Sequence, residues 1–239
     1  MDQRFLRAEA VLGPEAMETL RRSHVAVLGL GGVGSWCAEA LARSGVGAIT
    51  VMDEDTVSET NINRQAVALT STLGRPKAEV MAERIRDIAP DCAVRCIVGR
   101  YDEAHRDAFF SAPYDYIADA IDLVSCKLDL ICTAMERGIP IISALGTGNK
   151  RDGRALRICD ISKTEGDGLA RVVRKELRAR GVQHHTVVFS PELSARAIQN
   201  EAPPPGRRSV PGSLVWVPAS AGLLMCQHIV TQLISRSYE

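Results

Sequence analysis

The sequence lacks a signal-peptide pattern, a long uninterrupted apolar run and a net positive charge. Its 239 residues carry 29 basic and 29 acidic side chains, so no net charge favours nucleic acid. Any polyanion site must therefore be a local basic patch. The first ten residues, MDQRFLRAEA, are charged and have no apolar core segment, so we expect no signal peptide.

Paired cysteine motifs are also missing. Seven cysteines, an odd number, are scattered along the chain, and no Cys-x-x-Cys pair occurs. This usage is typical of reduced thiols rather than of a disulfide framework, and we expect a cytoplasmic protein. Cys92 and Cys96 come nearest to a ligand pair, but no second pair accompanies them. We therefore expect no zinc.

Long apolar runs are rare. The longest, residues 213–234, is interrupted by Pro218, Gln227, His228 and Gln232. We interpret it as the end of a strand followed by a buried helix, and we expect no membrane span.

What the sequence does contain is an alternation of short apolar runs and helical patterns. Residues 24–30 (HVAVLGL), 48–53 (AITVMD) and 139–146 (IPIISALG) are typical of buried strands, and helical patterns separate such runs. The alternation predicts an α/β fold with a doubly wound, mostly parallel, Rossmann-like sheet.

A glycine loop follows the first strand. Gly29, Gly31 and Gly34 fit the pattern G-x-G-x-x-G, and Gly32 is an extra glycine within it. The first glycine permits a tight turn, the second lets the backbone approach a phosphate, and the third allows close packing of helix and strand. The positive N-terminus of the next helix also favours anions.

An acidic residue ends the second strand. Asp53 stands where a carboxylate accepts hydrogen bonds from ribose hydroxyls in dinucleotide-binding folds. With the glycine loop, it predicts an adenine-nucleotide site without choosing between NAD and ATP. We divide residues 1–239, taken as one domain, into a helical arm (1–22), a nucleotide-binding core (23–150) and a C-terminal subregion (151–239).

The residues after Asp53 favour ATP over NAD as the predicted ligand. The segment TNINRQ, residues 60–65, brings amides and Arg64, and Lys77 begins the next helix. An NAD-dependent oxidoreductase needs no such cations, because the phosphates of its cofactor are never broken. An enzyme that attacks the α-phosphate of ATP needs them to neutralise the charge that develops there and on pyrophosphate.

A carboxylate for Mg²⁺ is expected at the same edge. We predict that Asp122 ends a neighbouring strand there and binds the ion. Asp119 is interpreted either as a supporting residue or as a turn residue.

Together these motifs resemble the ThiF/MoeB/HesA superfamily of ubiquitin-activating-enzyme-like adenylyltransferases. The resemblance is carried by residues 27–65 and by residues 74–90 (GRPKAEVMAERIRDIAP), and it covers about residues 1–150. Residues 31–45 and 78–90 look most like the tRNA threonylcarbamoyladenosine dehydratases. The missing Cys-x-x-Cys pairs favour that branch over the sulfur-carrier-activating members.

The resemblance implies roles for individual residues. It implies that nucleotide is bound by Gly29, Gly31, Gly32, Gly34, Asp53, Asp55, Asn61, Arg64, Gln65 and Lys77. It implies catalytic roles for Arg64, Lys77 and the Mg²⁺ ligand Asp122. Arg7, with Arg4 as the less favoured choice, would reach the nucleotide of a neighbouring subunit, so a homodimer is implied.

The implied reaction is an ATP-dependent tRNA modification. The enzyme would adenylate the threonyl carboxylate of threonylcarbamoyladenosine in tRNA and promote its cyclisation. The alternative is an adenylyltransferase that activates the C-terminus of a ubiquitin-like sulfur-carrier protein. Members with thioester or persulfide intermediates need a cysteine in the C-terminal half, where only Cys159 and Cys226 qualify, and we predict no covalent cysteine catalysis. A sulfurtransferase-type accessory protein is left open as a partner.

A basic helix is the candidate tRNA contact. Such a face is often simply solvated, but with the resemblance it becomes a candidate for the phosphate backbone. Its cations recur at intervals of three and four: Arg171, Arg174, Lys175 and Arg178. Arg207 and Arg208 are expected to extend it. The neighbouring His184 and His185 are interpreted as ordinary polar structure.

Overall fold

The computed structural model describes residues 2–198 and 210–235. Its centre is a sheet whose strands are, in chain order, β1 (His24–Leu28), β2 (Ala48–Asp53), β3 (Ala93–Val98), β4 (Tyr116–Asp119), β5 (Ile141–Ala144), β6 (Arg157–Asp160) and β7 (Thr186–Phe189). Across the sheet the order is β3-β2-β1-β4-β5-β7-β6. Neighbouring strands are parallel except β6, which pairs antiparallel with β7 at one edge. The predicted doubly wound, mostly parallel α/β sheet is confirmed.

Helices cover both faces of the sheet. They are α1 (Leu6–Leu12), α2 (Pro14–Arg22), α3 (Gly34–Arg43), α4 (Lys77–Ile88), α5 (Arg106–Phe109), α6 (Val124–Glu136), α7 (Gly168–Ala179) and α8 (Trp216–Ser235). Alternate residues of β1 enter two separate cores. Val25 and Val27 pack with residues of α2, α3, α4 and α8, whereas Ala26 and Leu28 pack with α5, α6 and α7. A strand buried on both faces is continuously apolar, as β1 is from Val25 to Leu28.

The N-terminal arm is helical as predicted, in two helices divided at Gly13, where Pro14 begins α2. Two local predictions were wrong. Residues 213–215 precede α8 without forming a strand. Strand β4 ends at Asp119 and not at Asp122, since the Asp119 carboxylate accepts a hydrogen bond from the Ile121 N–H and turns the chain.

Helix α8 belongs to the core of the fold. It is long and apolar enough to cross a membrane by length and composition, and half of its most apolar window is buried inside the protein. At Gly222 its backbone meets α3 so closely that a Cβ would lie 2.4 Å from the carbonyl oxygen of Val33. The C-terminal subregion therefore shares a core with the first half of the chain. Its division from residues 1–150 stays a prediction.

A buried histidine joins β5 to β7. His185 immediately precedes β7, and its Nε2 lies 2.8 Å from the Oγ of Ser143. Burial lowers the pKa of His185 to about 3, and the positive charge of Lys127 acts in the same direction. The imidazole is therefore neutral in the folded protein at neutral pH.

We predict that acid weakens the fold through this histidine. Below pH 6.5, its ordinary pKa, the unfolded chain binds a proton at His185 that the folded chain refuses until about pH 3. The free energy of unfolding should therefore fall by about 1.4 kcal/mol per pH unit from this group. Urea unfolding at pH 7, 6 and 5 measures the slope.

The neighbouring histidine supplies a matched control. His185→Gln should flatten the slope. His184→Gln, at an exposed side chain whose Nδ1 lies 3.2 Å from the Asp160 carboxylate, should keep the fall that His185 causes. Equal slopes in the wild type and in His185→Gln would show that His185 contributes no such effect.

Candidate active site

The glycine loop between β1 and α3 lies at the carboxyl edge of the sheet. Gly29 has a φ of 83°, and a Cβ there would lie 2.5 Å from the carbonyl oxygen of Ala120, just beyond β4. A Cβ on Gly34 would lie 1.8 Å from the carbonyl oxygen of Gly29. Both glycines are therefore required by the packing of the loop itself.

The middle of the loop is open instead. A Cβ on Gly31 would meet only the Nε2 of Gln65, at 3.9 Å. Gln65 is buried, and its Oε1 is a buried side-chain atom without a hydrogen-bond partner among the described residues. The N-terminus of α3 carries no side-chain cap. The open backbone and the uncapped helix N-terminus fit a phosphate. The unpartnered Gln65 oxygen needs a hydrogen-bond donor, such as a hydroxyl or amino group of the same ligand.

Asp53 fixes the loop from the end of β2. Its Oδ2 accepts a hydrogen bond from the Leu30 N–H at 2.5 Å, and its Oδ1 accepts one from the Asp55 N–H at 2.8 Å. Burial raises the pKa of the Asp53 carboxyl, while the positive charge of Lys77 acts in the opposite direction. Asp53 thus joins the glycine loop to the cationic residues that follow.

Lys77 presents its charge at the end of a buried stem. It is the first residue of α4, and its Nζ lies 2.9 Å from the Oδ2 of Asp55. The lysine side chain is 7% exposed and that of Asp55 is 64% exposed. A backbone hydrogen bond joins the same two residues, since the Lys77 N–H donates to the Asp55 carbonyl at 2.9 Å. Lys77 is therefore held in one position at the sheet edge.

The segment of residues 58–65 folds back toward the loop. Buried Asn61 uses its Oδ1 to accept the Ser58 N–H at 3.2 Å, which closes a single helical turn. Arg64 donates from Nη1 to the Thr60 carbonyl at 2.8 Å, and its stem lies beside Gly32, where a Cβ would be 3.6 Å from Cγ. Arg64 and the glycine loop are thus brought together.

Sequence reasoning missed a buried ion pair beside this edge. The Nζ of Lys127, on α6, lies 2.6 Å from the Oδ2 of Asp119, and neither side chain is exposed. The same Nζ donates to the carbonyl of Ala144, the last residue of β5, at 3.1 Å. The pair ties β4 to β5 and shapes the turn that leads to Asp122. A lysine among apolar neighbours on the inner face of α6 was the available signal.

Asp122 itself is exposed, in the loop between β4 and α6. Within residues 2–198 and 210–235, no three His, Cys, Asp or Glu side chains are grouped to hold a metal. A single carboxylate fits Mg²⁺, which keeps several waters and often binds through substrate phosphates. The Mg²⁺ role of Asp122 stays a prediction.

The two arginines of the N-terminal arm differ in their surroundings. Arg4 forms ion pairs with Asp2 and Asp91, each at 2.6 Å. Arg7 is exposed on α1, and its side chain makes no hydrogen bond or ion pair within the part of the chain that is described. Helix α1 buries none of its residues. Arg7 is therefore the arginine available to a second molecule.

The basic face of α7 is partly engaged within the chain. Arg174 is half-buried, and its Nη1 donates to the carbonyl of Thr164 at 2.7 Å, which anchors the helix. The other predicted tRNA contacts are exposed: Arg171, Lys175 and Arg178. Arg207 and Arg208 lie outside the described residues.

The two C-terminal cysteines have environments that disfavour the thiolate. Burial raises the pKa of the Cys226 thiol to about 11. Cys159 lies on the edge strand β6, and partial burial raises its pKa as well. A raised pKa leaves the thiol protonated and weakly nucleophilic at neutral pH.

An open glycine loop, an acid at the end of β2 and two cations at one sheet edge define a nucleotide-binding α/β protein of the adenylyltransferase type. The profile of the ThiF family matches residues 3–237, and the chain belongs to this family. The predicted membership is confirmed.

Two dehydratases are similar over nearly the whole chain. The tRNA threonylcarbamoyladenosine dehydratase of Bacillus subtilis is 43% identical over 243 residues, which cover 98% of this chain and 96% of the relative. The crystal structure of the Escherichia coli tRNA N6-threonylcarbamoyladenosine dehydratase in complex with ATP matches with a TM-score of 0.89 and 35% identity. That match covers 99% of this chain and 96% of the other.

An adenylyltransferase is similar over a smaller part of the chain. The molybdopterin-synthase adenylyltransferase of Escherichia coli is 33% identical over 129 residues, which cover 54% of this chain and 51% of the relative. The similarity to the two dehydratases therefore spans nearly the whole chain, whereas this one spans about half of it.

The buried ion pair gives a stability prediction. Lys127→Met leaves the Asp119 carboxylate buried without its partner and should cost about 3–5 kcal/mol in the free energy of unfolding. Replacing both residues, as Asp119→Asn with Lys127→Met, should recover part of this loss because no isolated charge remains. Urea unfolding of the three proteins measures both values. A double variant less stable than Lys127→Met would contradict this account.

Proposed function

We propose that this protein is an ATP-dependent tRNA-modifying enzyme. It adenylates the threonyl carboxylate of threonylcarbamoyladenosine in tRNA and promotes the cyclisation that dehydrates it. The proposal is carried by the similarity to the Bacillus subtilis dehydratase, which runs through 98% of this chain. The arrangement of Gly31, Arg64 and Lys77 supports the chemistry that ATP requires.

The residues present fit ATP. The open backbone at Gly31 and the N-terminus of α3 would face phosphates, which helix N-termini stabilise. Gln65 has a buried oxygen ready to accept a hydrogen bond. Asp53 would accept from the ribose, as acids at this strand end do. The remaining predicted nucleotide contacts, Asp55 and Asn61, already position Lys77 and the turn before Arg64.

The chemistry needs two displacements. A carboxylate oxygen of the threonyl group attacks the α-phosphorus of ATP, and the bond to pyrophosphate breaks. An internal nucleophile of the modified base then attacks the activated carbonyl, closes a ring and releases AMP, which keeps one carboxylate oxygen. Arg64 and Lys77 offset the negative charge that develops in the first displacement. The protein otherwise works by positioning the two reactants.

We further propose Mg²⁺ at Asp122, where it would neutralise phosphate charge, and a homodimer in which Arg7 completes the neighbouring site. The unpaired Arg7 and the exposed Leu6, Val11 and Leu12 of α1 support the second point. Residues Arg171, Lys175 and Arg178 are the proposed backbone contacts for tRNA. A cytoplasmic location and a sulfurtransferase-type partner stay predictions.

Mass analysis of the modified nucleoside tests the reaction directly. The protein is incubated with ATP, Mg²⁺ and tRNA that bears threonylcarbamoyladenosine, and the digested nucleosides are weighed. We expect the loss of one water from that nucleoside, together with AMP. Pyrophosphate exchange that requires a ubiquitin-like carrier protein instead would establish the alternative adenylyltransferase.

The cationic residue and the Mg²⁺ ligand should each be indispensable. Lys77→Ala and Asp122→Ala are expected to abolish AMP formation while circular dichroism and the unfolding midpoint show an intact fold. Exposed residues of the same types serve as controls, and Lys163→Ala and Asp87→Ala should retain normal turnover. Normal AMP formation in Lys77→Ala or Asp122→Ala would mean that the site is elsewhere.

A further inference from the structure

A second pocket opens beside the N-terminus of α8. It has a volume of about 460 Å³ and is lined by Arg151, Asp152, Gly153, Arg154, Trp216 and Ser220. None of these residues has a part in the nucleotide site described above. An indole and two guanidinium groups around one opening are an unusual combination on a surface of balanced charge.

The indole in this pocket is both fixed and accessible. Trp216 donates from Nε1 to the carbonyl of Arg151 at 2.7 Å, yet 52% of the residue remains exposed. Gly153 lies against the backbone of the same residue, since a Cβ there would be 3.0 Å from the Trp216 carbonyl oxygen. The ring therefore presents apolar surface at little conformational cost, as a platform for another flat group requires.

The charges around the pocket leave one cation available. The Asp152 carboxylate accepts from the backbone and the side chain of Arg154, each at 2.9 Å. The Glu192 carboxylate accepts the N–H groups of Arg151 and Asp152. The Arg151 guanidinium is exposed and has no partner among the residues that the structure describes. Both neighbouring carboxylates are thus satisfied while one arginine is free to pair with an anion.

The helix turn that carries the pocket also reaches the glycine loop, on its other face. Pro218, two residues beyond Trp216, lies against Gly32, where a Cβ would be 3.0 Å from the Pro218 Cβ. On the other side, Asn63 donates from Nδ2 to the carbonyl of Ser213 at 3.0 Å. The segment that carries Trp216 is therefore attached to both parts of the nucleotide site. Trp216 and Pro218 are two residues apart and so lie on opposite faces of α8, which separates a ligand in the pocket from the glycine loop by one helix diameter, ~10 Å.

We propose that this pocket binds a nucleotide of the tRNA that flanks the modified adenosine. Its base stacks on Trp216 and its phosphate pairs with Arg151. Proteins hold bases of RNA loops in this way, by stacking them on aromatic rings and by neutralising the phosphate beside them. This inference rests on the proposed function, because only a tRNA substrate brings a neighbouring nucleotide to this position.

Steady-state kinetics of two variants tests the pocket. Trp216→Ala and Arg151→Ala should each raise the KM for tRNA about 10-fold, within the range expected for loss of a stacked base. The KM for ATP should stay unchanged, and Trp216→Phe should restore most of the affinity because it keeps a ring. Leu223→Ala, which removes an equally exposed apolar side chain farther along α8, is the matched control.

Fluorescence separates this inference from the reaction itself. Trp216 is one of two tryptophans, so Trp36→Phe leaves it as the single indole reporter. This variant serves for binding alone, and dehydration is assayed in the wild type, because the Trp36 Nε1 donates to the Arg64 carbonyl at 3.0 Å. Unmodified tRNA should quench that fluorescence, and Arg151→Ala should weaken the effect. Quenching without any dehydration in the nucleoside assay would overturn the proposed function and leave the RNA pocket standing.

Two results would overturn the pocket assignment. One is an unchanged KM for tRNA in Trp216→Ala and Arg151→Ala while the wild type is active. The other is a change in molar mass by light scattering when Trp216 is replaced, which would show that a second copy of the chain covers this face.

Discussion

The structure depends on a backbone contact with no room for a side chain. Gly34 meets the carbonyl of Gly29, and Gly29 meets the carbonyl of Ala120, so the loop, α3 and the end of β4 are pressed together. This contact sets where α3 begins and hence where its N-terminus opens. It also leaves the middle glycine, Gly31, with open space on its free face. The loop can bind a ligand because Gly29 and Gly34 are packed tightly against backbone while Gly31 faces open space.

Two ion pairs at this edge of the sheet differ in how deeply they are buried. The side chain of Lys77 is nearly buried, whereas that of its partner Asp55 is mostly exposed. The ammonium group is therefore held in place by a carboxylate that stays in contact with water. Asp119 and Lys127 are both fully buried and serve the fold. The first arrangement lets an incoming anion compete for the cation, whereas the second does not. The partly exposed pair, Lys77 and Asp55, can therefore take part in binding. The buried pair, Lys127 and Asp119, supports the fold around the site.

The fold was predictable because its signals are local. The apolar runs of β1 and β2 and the glycine spacing follow from backbone sterics and burial on both faces. Asp53 was predictable for the same reason, since the end of a strand fixes which edge it occupies. The confirmed family membership shows that these local signals identified the family correctly.

The remaining features depend on contacts between distant segments. The apolar neighbours of Lys127 in the sequence indicate burial, but they do not indicate that its ammonium meets both Asp119 and the end of β5. Arg174 fits the basic pattern of α7, yet tertiary packing directs it to Thr164. The apolar run around Trp216 also gave no sign that half of this residue is exposed at the start of a helix. Such roles arise from which loops meet after folding, and helical spacing does not encode that.

The contact between Gly32 and Pro218 has a consequence for synthesis. One wall of the glycine loop comes from α8, 186 residues farther along the chain (218 − 32). During translation the loop and its cations are made long before that wall exists. A nascent chain therefore carries the nucleotide-binding motif without an enclosed site, and the site is completed only when α8 leaves the ribosome and packs on α3.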